Sequence, residues 1–137
     1  MIVVAVSGYF DPIHVGHLEL LKLARQLGDK LVVIVNNDKQ TVLKKGKSFM
    51  NEKDRMEIVS ALQSVDEVFL SIDDDKSVCK SLEFLKPNIF ANGGDRSLSE
   101  IPETAVMEKY SIKMVDGLGA KIRSSSKITG IKCDSKK

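Results

Sequence analysis

The chain has 137 residues, 42% apolar and 29% charged, the make-up of one ordinary globular domain long enough to bury a single core. A formal net charge of +2 and a pI near 8.5 give no concentrated basic stripe. They argue against a nucleic-acid partner but leave room for a locally basic pocket that takes a phosphorylated ligand.

Ile2 to Val6 is a continuous apolar run closed by Ser7-Gly8, the pattern of a strand buried on both faces. No basic stretch precedes it and a glycine turn follows, so it reads as a strand and not a signal peptide. Leu18, Leu20, Leu21, Leu23, Ala24 and Leu27 recur at helical spacing, and Gly28 supplies the stop. Leu31 to Val35 is a second buried run, ended by Asn36-Asn37-Asp38. A polar, lysine-bearing loop is expected from there through Lys47. Asn51 with Asp54 resembles a capping arrangement for a helix that continues through Met56, Val59 and Leu62.

Val68 to Ile72 predicts a third strand. Asp74 and Asp75 sit where an N-cap belongs, ahead of Val78, Leu82 and Leu85, and Pro87 ends that helix. Ile89 to Ala91 predicts a short fourth strand, followed by a turn over Asn92-Gly93-Gly94-Asp95-Arg96. Pro102 opens a helix through Tyr110, and Ile112 to Val115 predicts a fifth strand. A loop then leads to Ser124-Ser125-Ser126, a last short helix and a basic tail at 132–137. No apolar run approaches the ~20 residues that span a bilayer, which argues against a membrane partner. Cys79 and Cys133 lie far apart without a Cys-x-x-Cys and read as free thiols in a reducing cytoplasm.

Alternating strands and helices imply right-handed βαβ units. The expected fold is α/β: a Rossmann-like three-layer arrangement around a five-stranded parallel sheet. Ligands in such folds bind beyond the carboxyl ends of the strands, near the reversal of strand order. The loops after the first, fourth and fifth strands carry the unusual chemistry.

The first of these loops runs from a buried strand through glycine and Pro12 into a helix near Gly16. His14 and His17, the only two histidines, are three apart at that helix start and project to one side. The unpaired N–H groups and positive dipole end of a first helical turn attract phosphate. Gly16 would let it approach the backbone, and the imidazoles would donate to its oxygens. A zinc pair on the same histidines lacks a third ligand at a clear spacing.

The segment Gly8-Tyr9-Phe10-Asp11-Pro12-Ile13-His14-Val15-Gly16-His17 resembles the His-x-Gly-His signature of the nucleotidyltransferase superfamily. Within it, the chain is most similar to the cytidylyltransferase-like family, which includes glycerol-3-phosphate cytidylyltransferase, archaeal FAD synthetase and heptose 1-phosphate adenylyltransferase. The resemblance covers about Ile2 to Ile131, so that 1–131 is expected to form the nucleotidyltransferase domain. It implies that His14 and His17 hold the nucleotide phosphates and stabilise charge on the transferring α-phosphate. It implies that Tyr9, Phe10 and Asp11 line the nucleotide site, Phe10 partly through its backbone. Ile122-Arg123-Ser124-Ser125-Ser126 resembles the family's second signature, whose hydroxyl and N–H groups cradle the β- and γ-phosphates. Asn92, Gly94, Asp95 and Arg96 match the family's turn after the fourth strand. Asp95 would there meet ribose or metal-bound phosphate, and Arg96 phosphate or the acceptor. A lysine of the loop after the second strand reaches phosphate in the family. Of Lys44 and Lys45, Lys44 matches better by position, and Arg55 matches a family arginine in the next helix.

The implied reaction is attack of an acceptor phosphate on the α-phosphorus of a nucleoside triphosphate, with pyrophosphate leaving. The acceptor phosphate is already ionised near pH 7, its second pKa being about 6, so no strong general base is needed. Catalysis then rests on positioning and on positive potential from His14, His17, Lys44, Arg123 and the helix N-termini. Mg²⁺ would bridge phosphate oxygens with few protein ligands of its own. ATP is favoured slightly over CTP, with a sugar or polyol phosphate as acceptor and a homodimer as the family's common assembly. A non-catalytic nucleotide-binding regulatory module is the alternative, and it predicts nucleotide binding without pyrophosphate release.

Overall fold

The computed structural model describes residues 1–11, 13–91 and 103–115. Along them run β1 (Val3–Gly8), α1 (Val15–Arg25), β2 (Lys30–Val35), α2 (Asp38–Lys45), α3 (Glu52–Ser60), β3 (Glu67–Leu70), α4 (Cys79–Leu85), β4 (Ile89–Ala91), α5 (Thr104–Lys109) and β5 (Lys113–Val115). The strands form one sheet in the order β3-β2-β1-β4-β5, with every neighbouring pair parallel. This is the Rossmann-like α/β architecture that the alternation of strands and helices implies. No helix among the described residues is long and apolar enough to cross a membrane.

The continuous apolar runs of β1 and β2 are buried because both sheet faces are covered. Successive residues serve opposite faces. Val4, Val6, Leu31, Val33 and Val35 pack with Leu21 and Ala24 of α1 and Val59 of α3. Ala5, Ile34 and Phe90 pack with Val78, Leu82 of α4 and Met107 of α5. A fully buried valine, leucine or isoleucine contributes roughly 1.5–3 kcal/mol. The doubly covered central strands are therefore a firm base for the loops at their carboxyl ends.

Two local expectations are corrected. The stretch read as a lysine-bearing loop after β2 is the helix α2. The Asn37 side chain accepts from the Gln40 N–H and the Gln40 side chain from the Asn37 N–H, a reciprocal capping box. Gln40 is fully buried and donates to the carbonyls of Asp75 and Ser77 at 2.6 and 2.8 Å. Gly46 then closes α2 in the left-handed region, φ 86°. At α4, neither Asp74 nor Asp75 takes the capping role. Asp73 accepts from the N–H groups of Lys80 and Ser81 at 2.8 and 3.0 Å. Asp75 instead folds the preceding turn, accepting from the Ser77 N–H and hydroxyl. The turn expected at Asn92–Arg96, the helix expected after Ser126 and the tail at 132–137 lie outside the described residues.

The strand order fixes where a ligand fits. β1 pairs with β2 as far as Gly8 and Val35, but with β4 only as far as Val6 and Ala91. From β1 the chain builds outward to β2 and β3, then returns to the other side for β4 and β5. Such a reversal opens a crevice beyond the strand ends.

Candidate functional site

A cleft of about 890 Å³ lies at this crevice, lined by the loop after β1, the start of α1, the end of α2, the loop before α4 and Glu103. His14 and His17 both line it. His14 is the N-cap of α1, with extended backbone at φ −145° and ψ 178°. Its Nδ1 accepts from the Gly16 N–H at 3.1 Å, while Nδ1 of His17 accepts from the His14 N–H at 3.0 Å. Two histidines thus form a capping box that serine and glutamate make elsewhere. With each Nδ1 accepting, the proton of the neutral ring sits on Nε2. The rings stack with centroids 3.9 Å apart.

Burial first, then the neighbouring His14 and Lys45, lower the His17 pKa to about 4. His17 is therefore a neutral donor at pH 7. The expectation that it adds positive potential is corrected on that point: it offers a dipole, not a charge. Three of the first-turn amides expected to attract phosphate are also engaged. The Gly16 N–H is held by the His14 ring, and the N–H groups of His17 and Leu18 bond the His14 carbonyl at 2.9 and 3.3 Å. Gly16 likewise has a nearer reason to lack a side chain. A Cβ there would stand 2.9 Å from Cε1 of His14, so the missing methyl makes room for that ring.

Tyr9 lines the cleft with Lys44 Nζ 4.4 Å above its ring, a cation–π contact. Burial, reinforced by the negative charge of Glu103, raises the Tyr9 hydroxyl pKa. Phe10 is 1% exposed and its ring belongs to the core, 4.9 Å from the His17 ring. A Cβ at Gly8 would fall 2.8 Å from the tip of that ring, so Gly8 is the floor on which Phe10 rests. The Phe10 backbone is left-handed, φ 51°, a conformation that costs a non-glycine residue on the order of 1–3 kcal/mol. With the ring turned inward, the Phe10 backbone is the part left to meet a ligand.

Asp11 lines the same wall but its carboxylate points away from solvent. It accepts from the N–H groups of Phe49 and Met50 at 2.8 and 2.5 Å, and so anchors the loop after α2. Lys45 Nζ donates to the Asp11 carbonyl and lies 3.9 Å from its carboxylate. Both Lys44 and Lys45 line the cleft. Arg55, matched above to a family arginine beside these lysines, is not placed to contact a ligand. Its side chain is fully buried and donates to the carbonyls of Tyr9, Asn36 and Met50 and to Asp38, at 2.6–2.9 Å.

Asn92, Gly94, Asp95, Arg96, Arg123, Ser124, Ser125 and Ser126 lie outside the described residues. The structure adds Lys76, Ser77 and Glu103 to the cleft, which the sequence did not single out. The Asp75-Lys76-Ser77 turn was legible as an aspartate two before a serine. Glu103 carried no local signal.

A family model described as cytidylyltransferase-like matches residues 5–128. An FAD synthase of Methanothermus fervidus is 43% identical over 109 residues, 77% of this chain and 74% of that protein. The bifunctional protein HldE of Koribacter versatilis is 36% identical over 101 residues, covering 72% of this chain but 20% of its own length. Among solved structures, the lipopolysaccharide core biosynthesis protein of Thermoplasma volcanium superposes with a TM-score of 0.69 at 33% identity, over 85% of this chain and 95% of that one.

Proposed function

The chain belongs to the cytidylyltransferase-like family and is a nucleotidyltransferase, and from that premise we propose that it moves an adenylyl group from ATP to a phosphorylated small acceptor. Relatives named FAD synthase and HldE support ATP over CTP. FAD contains an adenylyl unit joined through a pyrophosphate linkage, the bond this reaction makes.

One observation carries the reading: the stacked His14–His17 pair, each ring locked through Nδ1 with its Nε2 proton left for a ligand. A pair so fixed suits an α-phosphate that gains charge in the transition state, because the donors need no reorganisation when charge develops. The acceptor phosphate attacks the α-phosphorus, the bond to the bridging oxygen breaks, and pyrophosphate departs with that electron pair. Lys44 and Lys45 supply the formal positive charge that neutral His17 does not. Phe10 and Tyr9 present backbone and ring to the nucleotide. Arg96, Arg123 and Ser124–Ser126 are proposed on family resemblance as further phosphate contacts.

No group of three or more metal-ligating side chains occurs among the described residues. Mg²⁺ is proposed on the family resemblance, and it would supply neutralisation of phosphate charge at the site. The test is pyrophosphate release with ATP or CTP, Mg²⁺ and a panel of phosphomonoesters. Release with ATP and one acceptor is expected. Nucleotide binding without release under any acceptor would favour a binding module and overturn the reading.

A further inference from the structure

One polar atom of a cleft-lining residue is left unused by the phosphate chemistry. Glu103 stands just ahead of α5 and is 7% exposed. Its Oε2 accepts from the Val78 N–H at 2.9 Å, which ties the start of α5 to the start of α4. Its Oε1 is buried with no hydrogen-bond partner among the described residues, although the residue lines the cleft with Tyr9 and Ser77. A bare buried carboxylate oxygen is costly, and native chains seldom keep one that nothing fills. An ionised carboxylate accepts only, so its occupant brings an O–H or N–H. A phosphate oxygen is excluded by like charge.

Position narrows the occupant further. Val78, the partner of Glu103, belongs to the cluster on the α4–α5 side of the sheet, whereas the histidines sit on α1, which packs against the other side. In-line transfer brings the attacking acceptor in opposite the leaving pyrophosphate. With the α-phosphate on the histidines, an acceptor that approached in line from the α4–α5 side would pass Glu103. Lys76, also on the cleft wall, gives its phosphate a cation apart from the carboxylate.

We propose that Glu103 is a specificity-determining residue, accepting a hydrogen bond from a hydroxyl of the acceptor and so selecting a phosphomonoester with a free hydroxyl, such as a polyol or sugar phosphate. This rests on the transferase reading above. Pyrophosphate release is measured with ATP and Mg²⁺ against sn-glycerol 3-phosphate, ribitol 5-phosphate, a heptose 1-phosphate and FMN, then with deoxy analogues of the best acceptor. Glu103→Gln keeps an oxygen for the Val78 N–H but puts a donor where the accepting Oε1 stood. It is expected to raise the acceptor KM about tenfold or more with the ATP KM unchanged, the effect of losing a hydrogen bond to a charged group. The wild type should disfavour one deoxy analogue by a similar factor, and the variant should lose that discrimination, which a merely structural role would not cause. An unchanged acceptor KM, a raised ATP KM in its place, or equal discrimination by both proteins overturns the assignment. Should the variant fail to fold, equal kcat/KM of the wild type for the acceptor and every deoxy analogue overturns it as well. No release by the wild type with any acceptor would overturn the transferase reading itself, and this one with it.

Discussion

Replacing Gly16 by alanine separates the geometry of the histidine pair from the stability of the helix that carries it. The added methyl would stand 2.9 Å from Cε1 and 3.1 Å from Nδ1 of His14. Carbon atoms in comfortable contact are about 3.5–4.0 Å apart, so the ring must retreat by about 0.6 Å or swing into solvent. Either movement breaks the Nδ1 bond to the Gly16 N–H and slides the ring off His17, now 3.9 Å away between centroids. Loss of an N-cap costs about 1 kcal/mol. Alanine in place of a helical glycine returns about 1 kcal/mol. The two terms offset, so the thermal midpoint should move by no more than about 4–8 °C, the shift that 1 kcal/mol brings in a small domain. Activity has no such offset. Misplacing a reacting or stabilising group by about 1 Å costs on the order of a hundredfold, so pyrophosphate release should fall about 30- to 100-fold. Circular dichroism melting and a coupled pyrophosphate assay on the same preparation read both quantities. A variant that melts like wild type and turns over at the wild-type rate would refute the claim that Gly16 exists for the His14 ring.

His17→Ala removes a fixed donor and should lower kcat by about a hundredfold or more, read by the same assay. It should also change acid stability. In the folded chain His17 stays neutral down to about pH 4, while its ordinary value is 6.5. The unfolded chain therefore binds the proton first, and the contribution of neutral His17 is complete above pH 6.5 and lost as pH falls towards 4. Urea titrations between pH 4 and 7 should show a shallower decline for His17→Ala; identical slopes would contradict the assignment. Arg55→Met should cost about 3–5 kcal/mol by leaving Asp38 and three carbonyls without their partner, seen as a lowered urea midpoint. Asp11→Asn keeps one accepting oxygen where two amides now bond, so one of the Phe49 and Met50 N–H groups loses its partner. Faster hydrogen exchange at one of those amides, with a stability loss of about 1–3 kcal/mol, is the expected signature, and unchanged protection at both would count against it.

The sheet was legible because its strands are apolar runs with two covered faces. β4 falls on Ile89–Ala91 as the sequence predicts, and β2 extends the predicted Leu31–Val35 by one residue. α2 was missed because it has almost no apolar face. Its buried residues are Gln40 and Thr41, while Val42 and Leu43 are about half exposed. The readable signal was Asn37 followed three residues later by Gln40, a capping box without the hydrophobic run that usually accompanies it. At the site, the placement of both histidines at one helix start was visible in the sequence. That the His17 ring accepts from the His14 N–H and the His14 ring from the Gly16 N–H was not, because it depends on ring rotamers. The role of Arg55 was equally hidden. An arginine in a polar helix reads as a surface cation, and only the fold shows Tyr9, Asn36 and Met50 turning their carbonyls towards it.

That hidden arginine explains how a cleft with so few free charges can be so fixed. Arg55 holds the carbonyls at the ends of β1 and β2 and in the loop before α3. Asp11 holds the amides of that loop from the opposite direction. Together they set the wall on which Tyr9 and Lys45 rest, and neither offers its own charge to a ligand. A neutral imidazole at His17 is then the economical partner for a transferring phosphate. A buried cation at His17 would carry a desolvation cost in every empty molecule, whereas a neutral ring keeps its donor in place without that cost. The formal charge is left to Lys44 and Lys45, both exposed, the first over the Tyr9 ring and the second tied to Asp11. The same residue chemistry is thus divided by burial. Buried Arg55 and Asp11 position, and half-buried His17, exposed His14 and the exposed lysines are left to bind.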